Sequence, residues 1–270
     1  MKAAVFDYVR PTGLLEAIDK LASMPGDARP LAGGQSLGPM LNLRLARPKL
    51  LVDLAKIESL RAVADEGDVW RIGACVTHAE LEDRPLADCA PLAQVASGIA
   101  YRSVRNRGTV GGGLAHADPA ADWPLALAAL NATVLVVGPK GEREIGAAQF
   151  VRGAFATALA DDEIVESVRV PKLSAGARWG YYKFCRKTGE FPDAAAAVLL
   201  DPERRVARLF VGALDRAPQP LEAVARALAE KGVVDVEAVE KELDRVAPGM
   251  TPAARKLRAT TVRRAIAQVL

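Results

Sequence analysis

Two glycine clusters, far apart in the chain, constrain its fold more than any other sequence feature. The first lies at residues 31–37 (LAGGQSL) and the second at residues 107–114 (RGTVGGGL). Each is predicted to lie where a strand gives way to a helix. Adjacent glycines allow several N–H groups to converge on one anion, and a helix dipole strengthens the attraction. One such loop suits a phosphate, whereas two predict a pyrophosphate held from both sides and hence a dinucleotide.

Neither cluster matches a common nucleotide motif. The first lacks the Lys-Ser/Thr pair of a P-loop, and the consecutive Gly111, Gly112 and Gly113 fit Gly-x-Gly-x-x-Gly poorly. A tight turn is the alternative interpretation for either cluster alone. The polar neighbours Ser36 and Thr109 favour a ligand when the two clusters are considered together.

Composition argues against a nucleic-acid-binding or membrane-spanning protein. Half of the 270 residues are hydrophobic and 26% are charged, which is typical of a folded soluble chain. The net charge of +3 is too balanced to indicate nucleic-acid binding. No apolar run reaches membrane-spanning length, and Asp7 and Arg10 interrupt any signal-peptide core, so a cytoplasmic location is expected. Three scattered cysteines predict reduced thiols and no iron–sulfur centre within this chain.

The order of predicted elements indicates an α+β protein. A helix capped by Thr12, a strand ending at Leu31 and a strand over 50–54 form a small β-α-β unit. A hairpin over 60–74 and a capping box at Thr77 open a second unit. The later elements of that unit are a helix over 90–100, a helix starting at Asp122, and strands over 131–137, 142–145 and 164–170.

A third unit is predicted after residue 176. Strands over 179–185, 194–200 and 206–214 have hairpin spacing and predict a three-stranded antiparallel sheet, and helical periodicity follows to the end. The sequence therefore predicts a C-terminal sheet with a helical bundle. The expected division is 1–56 and 57–173 for two cofactor-binding subdomains, and 177–270 for the C-terminal α+β domain.

Both glycine clusters extend into longer motifs that resemble a known family. Residues 32–37 (AGGQSL), 43–46 (LRLA) and 51–54 (LVDL) resemble the first FAD signature of the flavin subunits of molybdenum hydroxylases. Residues 105–112 (RNRGTVGG) and 115–122 (AHADPAAD) resemble the second. The chain is most similar to the medium subunits of carbon monoxide dehydrogenase and of N-heterocycle and nicotine-type hydroxylases, within the xanthine dehydrogenase family. The resemblance covers the whole length.

The resemblance implies a fold, a cofactor and partners. The fold would be the two-subdomain FAD-binding fold of vanillyl-alcohol oxidase and p-cresol methylhydroxylase, with the C-terminal domain covering part of the FAD. The family's partners are a small subunit with two iron–sulfur clusters and a large molybdopterin subunit, usually in a dimer of heterotrimers. Electrons would pass from molybdenum through the clusters to the flavin and then to an external acceptor.

The resemblance also implies a set of cofactor-binding residues, with no catalytic residue and no metal ligand in this chain. They are Ala32, Gly33, Gly34, Gln35, Ser36, Leu37, Ala100, Thr109, Gly111, Gly112, Gly113, Asp122, Lys183 and Phe191. N–H groups of the first cluster would bind the diphosphate, with Thr109, Gly111 and Gly112 opposite them. The glycines are expected because a β-carbon would meet phosphate oxygens. The family usually has asparagine where this chain has Gly113, so one side-chain donor is absent.

Several of these residues have structural alternatives. Asp122 would accept hydrogen bonds from ribose or ribityl hydroxyls, or be a helix N-cap. Ala100 would approach the isoalloxazine ring, or belong to plain helix-end packing. Lys183 would donate to the pyrimidine edge, or be an exposed strand lysine. Phe191, where close relatives carry tyrosine, would stack on the ring. His116 is interpreted as a loop residue rather than an acid–base group.

Two other functions are compatible with the clusters. A self-contained flavin reductase on the same fold, akin to the enolpyruvyl reductases of peptidoglycan precursors, would need an internal proton donor and a substrate pocket. A non-catalytic nucleotide-binding module would need neither. The sequence favours an FAD-binding electron-transfer subunit over both.

Overall fold

A computed structural model describes residues 2–270. The strands are β1 (Asp7–Val9), β2 (Ala28–Leu31), β3 (Leu50–Asp53), β4 (Val63–Asp65), β5 (Val69–Gly73), β6 (Thr133–Gly138), β7 (Gly141–Gly146), β8 (Val151–Gly153), β9 (Ala156–Thr157), β10 (Ile164–Pro171), β11 (Arg178–Phe184), β12 (Ala194–Asp201), β13 (Val206–Gly212) and β14 (Gln219–Pro220). The α-helices are α1 (Leu14–Ala22), α2 (Leu37–Asn42), α3 (His78–Asp83), α4 (Ala90–Ser97), α5 (Arg102–Arg105), α6 (Val110–His116), α7 (Asp122–Ala129), α8 (Ala147–Phe150), α9 (Glu222–Lys231), α10 (Val236–Val246) and α11 (Pro252–Ile266).

The first unit is a parallel three-stranded sheet in the order β1-β3-β2. Helix α1 buries Ala17, Ile18 and Leu21 against it, and this periodic apolar face explains why the segment is helical. The predicted cap at Thr12 is wrong because Gly13 is the N-cap residue, without a side-chain bond. The sequence did not predict strand β1, because a strand of only three residues has no clear periodicity.

The second unit is a five-stranded antiparallel sheet in the order β4-β5-β10-β6-β7. The predicted hairpins are confirmed, and so is the capping box, in which Thr77 and Glu80 exchange side-chain and backbone bonds. Helices α4, α6 and α7 bury their apolar residues with this sheet in one core that includes Trp123 and Phe150. The β10–β6 register shifts between Val165 and Ser167.

The third unit is an antiparallel sheet in the order β11-β12-β13-β14. The prediction of three strands is wrong in number, because the chain after β13 turns back and pairs Gln219 with Val211. The three predicted helices are confirmed as α9, α10 and α11, which pack their apolar faces on the sheet. Strand β12 is buried along its whole length, because α7 contacts the sheet's other face.

The two glycine clusters lie in different local structures. The first joins β2 to α2, as predicted. The second follows helix α5 rather than a strand, and Gly111, Gly112 and Gly113 lie inside α6. The predicted strand-to-helix junction is therefore wrong for the second cluster: before α6, only Thr109 makes a β-bridge, with Thr77. Across residues 2–270, no helix combines the length and hydropathy required to cross a bilayer.

Candidate functional site

The two glycine clusters touch each other at Gly33. A β-carbon at this position would lie 2.6 Å from the carbonyl carbon of Arg107 and 2.9 Å from Cα of Gly108. Both neighbours are backbone atoms, so neither can rotate away. A further contact joins the clusters, because a β-carbon on Gly112 would lie 3.8 Å from that of Ala32. The loops predicted to enclose one ligand are therefore adjacent in space.

The first cluster leaves a run of backbone donors without partners. Among residues 2–270, no group accepts a hydrogen bond from the N–H of Gly33, Gly34, Gln35, Ser36 or Leu37. Gly38 is the first residue to resume the helical pattern, donating to Gly34 O at 2.9 Å. Gly34 has φ of +72°, a conformation that glycine adopts without strain. These donors at the start of a helix suit a bound anion such as phosphate.

The second cluster uses its own donors internally. The N–H groups of Gly111, Gly112 and Gly113 donate to Ala74 O at 2.9 Å, Thr109 Oγ1 at 3.1 Å and Thr109 O at 3.0 Å. The expectation that Gly111 and Gly112 offer free amides is thus not met. Thr109, whose oxygen caps α6, retains its hydroxyl hydrogen as a donor.

Two glycines of the second cluster are required by packing against protein. A β-carbon on Gly111 would lie 2.8 Å from Cα of Ala74, and one on Gly113 would lie 2.9 Å from Cδ1 of Trp123. For Gly111 this packing contact is a reason for glycine additional to the one expected from sequence. At position 113 the indole of Trp123 occupies the space that an asparagine side chain would need.

Asp122 is the first residue of α7 and is not its N-cap, which is Ala121. The carboxylate is buried, and its Oδ1 accepts from Tyr181 Oη at 2.6 Å and from Lys183 Nζ at 2.9 Å. Within residues 2–270 its Oδ2 has no hydrogen-bond partner, so this oxygen is available to a ligand hydroxyl. Burial, followed by the negative charge of Asp122, raises the pKa of Tyr181 well above its ordinary value.

Lys183 is not the exposed strand lysine of the alternative interpretation. Its side chain is 14% exposed, and Nζ donates to Gly98 O at 2.7 Å in addition to Asp122. An ammonium group has three donors, so one is left for a ligand. The sequence analysis missed Tyr181, although it lies two residues before Lys183 on the same face of a predicted strand, which is the signal that could have identified it.

Ala100 has an unusual backbone conformation. Helix α4 ends at Ser97, and Ala100 has φ of +45°, which costs a non-glycine residue about 1–3 kcal/mol. Arg105 Nη1 holds this turn by donating to Ala100 O at 3.1 Å. The loop after β11 crosses here, since a β-carbon on Gly189 would lie 2.7 Å from Ala100 O. Phe191, two residues further on, is 64% exposed.

Contacts thus link most of the predicted residues to one another. Contacts run from the first cluster to the second, from Gly113 to Trp123 beside Asp122, and from Asp122 through Lys183 to Gly98, near Ala100. Together these residues offer the free N–H groups of residues 33–37, a carboxylate oxygen of Asp122, one ammonium donor of Lys183 and the exposed ring of Phe191. This donor set fits a dinucleotide with a diphosphate, hydroxyl groups and a flat ring system.

A sequence profile of the family described as the FAD binding domain in molybdopterin dehydrogenase matches residues 4–173. The chain belongs to this family. It is 41% identical over 202 residues to the medium subunit of nicotine 6-hydroxylase from Paenarthrobacter nicotinovorans, covering 74% of this chain and 70% of that one. It is 39% identical over 197 residues to the carbon monoxide dehydrogenase medium chain of Hydrogenophaga pseudoflava, covering 72% and 69%.

The likeness extends to three dimensions and over the whole chain. Carbon monoxide dehydrogenase from Hydrogenophaga pseudoflava, solved in a form that lacks the Mo-pyranopterin moiety, superposes with a TM-score of 0.91 at 33% identity, covering 100% of this chain and 98% of that chain. The family resemblance and FAD as the cofactor of this domain are therefore confirmed. These relatives are medium subunits or chains of their enzymes, and the family makes this chain a component of an oxidoreductase.

Proposed function

We propose that this chain is the electron-transfer subunit of a heteromeric molybdenum hydroxylase, in which it binds FAD and passes electrons to an external acceptor. The observation that carries the proposal is the row of N–H groups over residues 33–37, which lack partners in the described part of the chain and lie beside the second glycine cluster. When bound, FAD supplies the capacity to accept electrons and release them to the acceptor. The role of this chain's residues is then to hold, orient and polarise it.

We assign the diphosphate to the first cluster. The N–H groups of Gly33, Gly34, Gln35 and Ser36 would donate to its oxygens, and the amino end of α2 would add a favourable dipole. The Thr109 hydroxyl would donate from the second cluster. Ala32 precedes the row of donors and Leu37 ends it, whereas Gly111 and Gly113 allow α6 to pack against Ala74 and Trp123, and Gly112 faces Ala32.

We assign the remaining residues to the hydroxyl groups and the ring. Asp122 Oδ2 would accept from a ribose or ribityl hydroxyl, because Oδ1 is already engaged. Lys183 would direct its third donor to the pyrimidine edge, where reduction places negative charge. Ala100 would approach the isoalloxazine ring, and Phe191 would cover it.

The partners follow from the same family. We propose a small subunit with iron–sulfur clusters and a large molybdopterin subunit, assembled as a dimer of heterotrimers, with substrate oxidation on the large subunit. We also propose two FAD-binding subdomains over 1–56 and 57–173 and a C-terminal α+β domain over 177–270. The end of the family match at residue 173 supports the second boundary.

Purification of the chain alone and with its partner subunits tests the proposal. We expect one FAD per chain, a flavin absorption spectrum, and loss of that spectrum when substrate is added to the complex but not to the isolated chain. A colourless chain that does not take up added FAD would refute the proposal and favour a different nucleotide. Substrate oxidation by the isolated chain would favour a self-contained flavin reductase.

A further inference from the structure

The hydroxyl of Tyr181 is a buried group to which the assignments above give no role. It donates to Asp122 Oδ1 at 2.6 Å, the same oxygen that accepts from Lys183. We propose that Tyr181 is a positioning residue, which fixes the Asp122–Lys183 pair in the orientation that binds FAD and favours its reduced form. This inference rests on the proposed function, since it concerns the same site.

The arrangement of donors fixes which carboxylate oxygen faces the ligand. Tyr181 and Lys183 lie two residues apart in β11, so their side chains project from one face of the sheet. Both donate to Oδ1 and leave Oδ2 without a partner among residues 2–270. Without the tyrosine hydroxyl, one donor would hold the carboxylate instead of two, and its orientation would no longer be fixed.

Tyr181 is itself held in place by its surroundings. The side-chain amide of Gln268 accepts from Tyr181 N at 3.0 Å and donates to Tyr181 O at 3.2 Å. Trp179 stacks parallel to its ring at a centroid distance of 6.2 Å. The preceding Gly180 allows α11 to approach, because a β-carbon there would lie 3.0 Å from the carbonyl carbon of Ala265. A side chain held on several sides is pre-organised for a positioning role.

The hydroxyl also affects the charge that Lys183 presents. A carboxylate that accepts a hydrogen bond from tyrosine shares its negative charge with that donor, and therefore offsets less of the neighbouring ammonium charge. Lys183 then attracts the more negative reduced flavin more strongly than it attracts the oxidised form. Loss of the hydroxyl would weaken this preference, and the flavin midpoint potential would fall.

Tyr181→Phe in the complex with its partner subunits tests the proposal, with Tyr182→Phe as the matched control. Tyr182 is the next residue in the strand, on the opposite face, and its hydroxyl contacts Arg264 instead. We measure the midpoint potential of the bound flavin against that of free FAD, which gives the ratio of affinities for the reduced and oxidised forms. For Tyr181→Phe this ratio should fall about tenfold, the effect of one hydrogen bond to a charged group. For Tyr182→Phe it should stay within about twofold.

A double-mutant cycle shows whether the tyrosine acts through Asp122. In an Asp122→Asn background, Tyr181→Phe should change the ratio by less than about twofold, because the charge it acts on is gone. An undiminished shift in that background would overturn the proposal, and so would equal ratios for the two tyrosine variants. If the Tyr181→Phe chain does not assemble with its partner subunits, Gln268→Ala replaces it. An unchanged ratio of affinities for the reduced and oxidised flavin in Gln268→Ala would then overturn the proposal. If the wild-type complex holds FAD but these variants do not change the affinity ratio, the positioning role is refuted and the proposed function is not.

Discussion

The two glycine clusters have similar composition but opposite hydrogen-bonding states. Within the described residues 2–270, the first leaves the N–H groups of residues 33–37 free, and Ser36 at the start of α2 forms no side-chain cap. The second satisfies the N–H groups of residues 110–113 from Ala74, Val76 and Thr109. A free donor is suited to a ligand, whereas a satisfied donor stabilises the fold.

This difference separates two uses of glycine that look alike in sequence. In the first cluster, glycine permits the left-handed conformation at position 34 and close contact at position 33. In the second, it allows a helix to pack against β5 and Trp123. We therefore expect substitutions in the first cluster to affect mainly FAD binding, except where the clusters meet, and those in the second to affect mainly stability.

The largest effect is expected at Gly33, where the clusters meet. Gly33→Ala would force a β-carbon against the backbone of Arg107 and Gly108, destabilising the protein by about 3 kcal/mol or more and abolishing FAD retention. Gly38→Ala is the matched control, since no atom of a distant residue, as far as the structure describes the chain, lies within 4 Å of a β-carbon there. Thermal unfolding of the FAD-free protein measures both variants. Equal melting temperatures would show that the clusters do not rely on this contact.

A pH-dependent effect is expected beneath the second cluster. Burial lowers the pKa of His78 to about 4, only partly opposed by a contact with the Thr109 backbone, and the ring contacts Gly108. Because the folded-state pKa lies below the unfolded value of 6.5, the stabilising contribution is complete above pH 6.5 and is lost as the pH falls toward 4. The loss should reach about 3 kcal/mol.

Denaturant unfolding at a series of pH values measures this dependence. His78→Leu should remove most of the pH dependence of the free energy of unfolding. His116→Gln is the control, because it removes a histidine that is not buried. If the slope between pH 6.5 and 4 is the same in His78→Leu and wild type, the second cluster does not depend on a neutral buried ring.

The smallest effect contrasts two hydroxyl residues, one in each cluster. Thr109→Ala removes the cap of α6 and should destabilise the FAD-free protein by about 1 kcal/mol, whereas Thr109→Ser should not. Ser36→Ala should change stability by less than about 0.5 kcal/mol and weaken FAD binding instead. Chemical denaturation and FAD titration separate the two quantities. A loss of stability in Ser36→Ala equal to that of Thr109→Ala would contradict the distinction between the clusters.

Local signals predicted much of this fold correctly. The Thr77–Glu80 capping box, the strand alternation ending at Pro171 and the three C-terminal helices are determined within a few residues, and all are present. The first cluster also lies at the predicted junction, because a strand of the parallel sheet and a short apolar helix flank it. The assignment of the site residues stays a prediction, although contacts link the two clusters at Gly33 and link Asp122 to Lys183.

Long-range contacts account for what the sequence did not predict. The N–H group of Gly111 is satisfied by Ala74 O, a partner that a local pattern does not specify, and Tyr181 reaches Asp122 across 59 positions of sequence. Strand β14 is too short for a periodic signal and exists because β13 offers it a pairing edge. In each case the partner is brought close by the fold and is not specified by the local sequence.

Gln268 also covers part of an exposed sheet edge. Strand β11 lies at the margin of the C-terminal sheet, where free N–H and C=O groups could template pairing with a foreign strand. The amide of Gln268 imitates a neighbouring strand at Tyr181 by occupying both backbone groups. One side chain therefore leaves no free backbone pairing group at Tyr181, two residues before Lys183, the proposed flavin ligand.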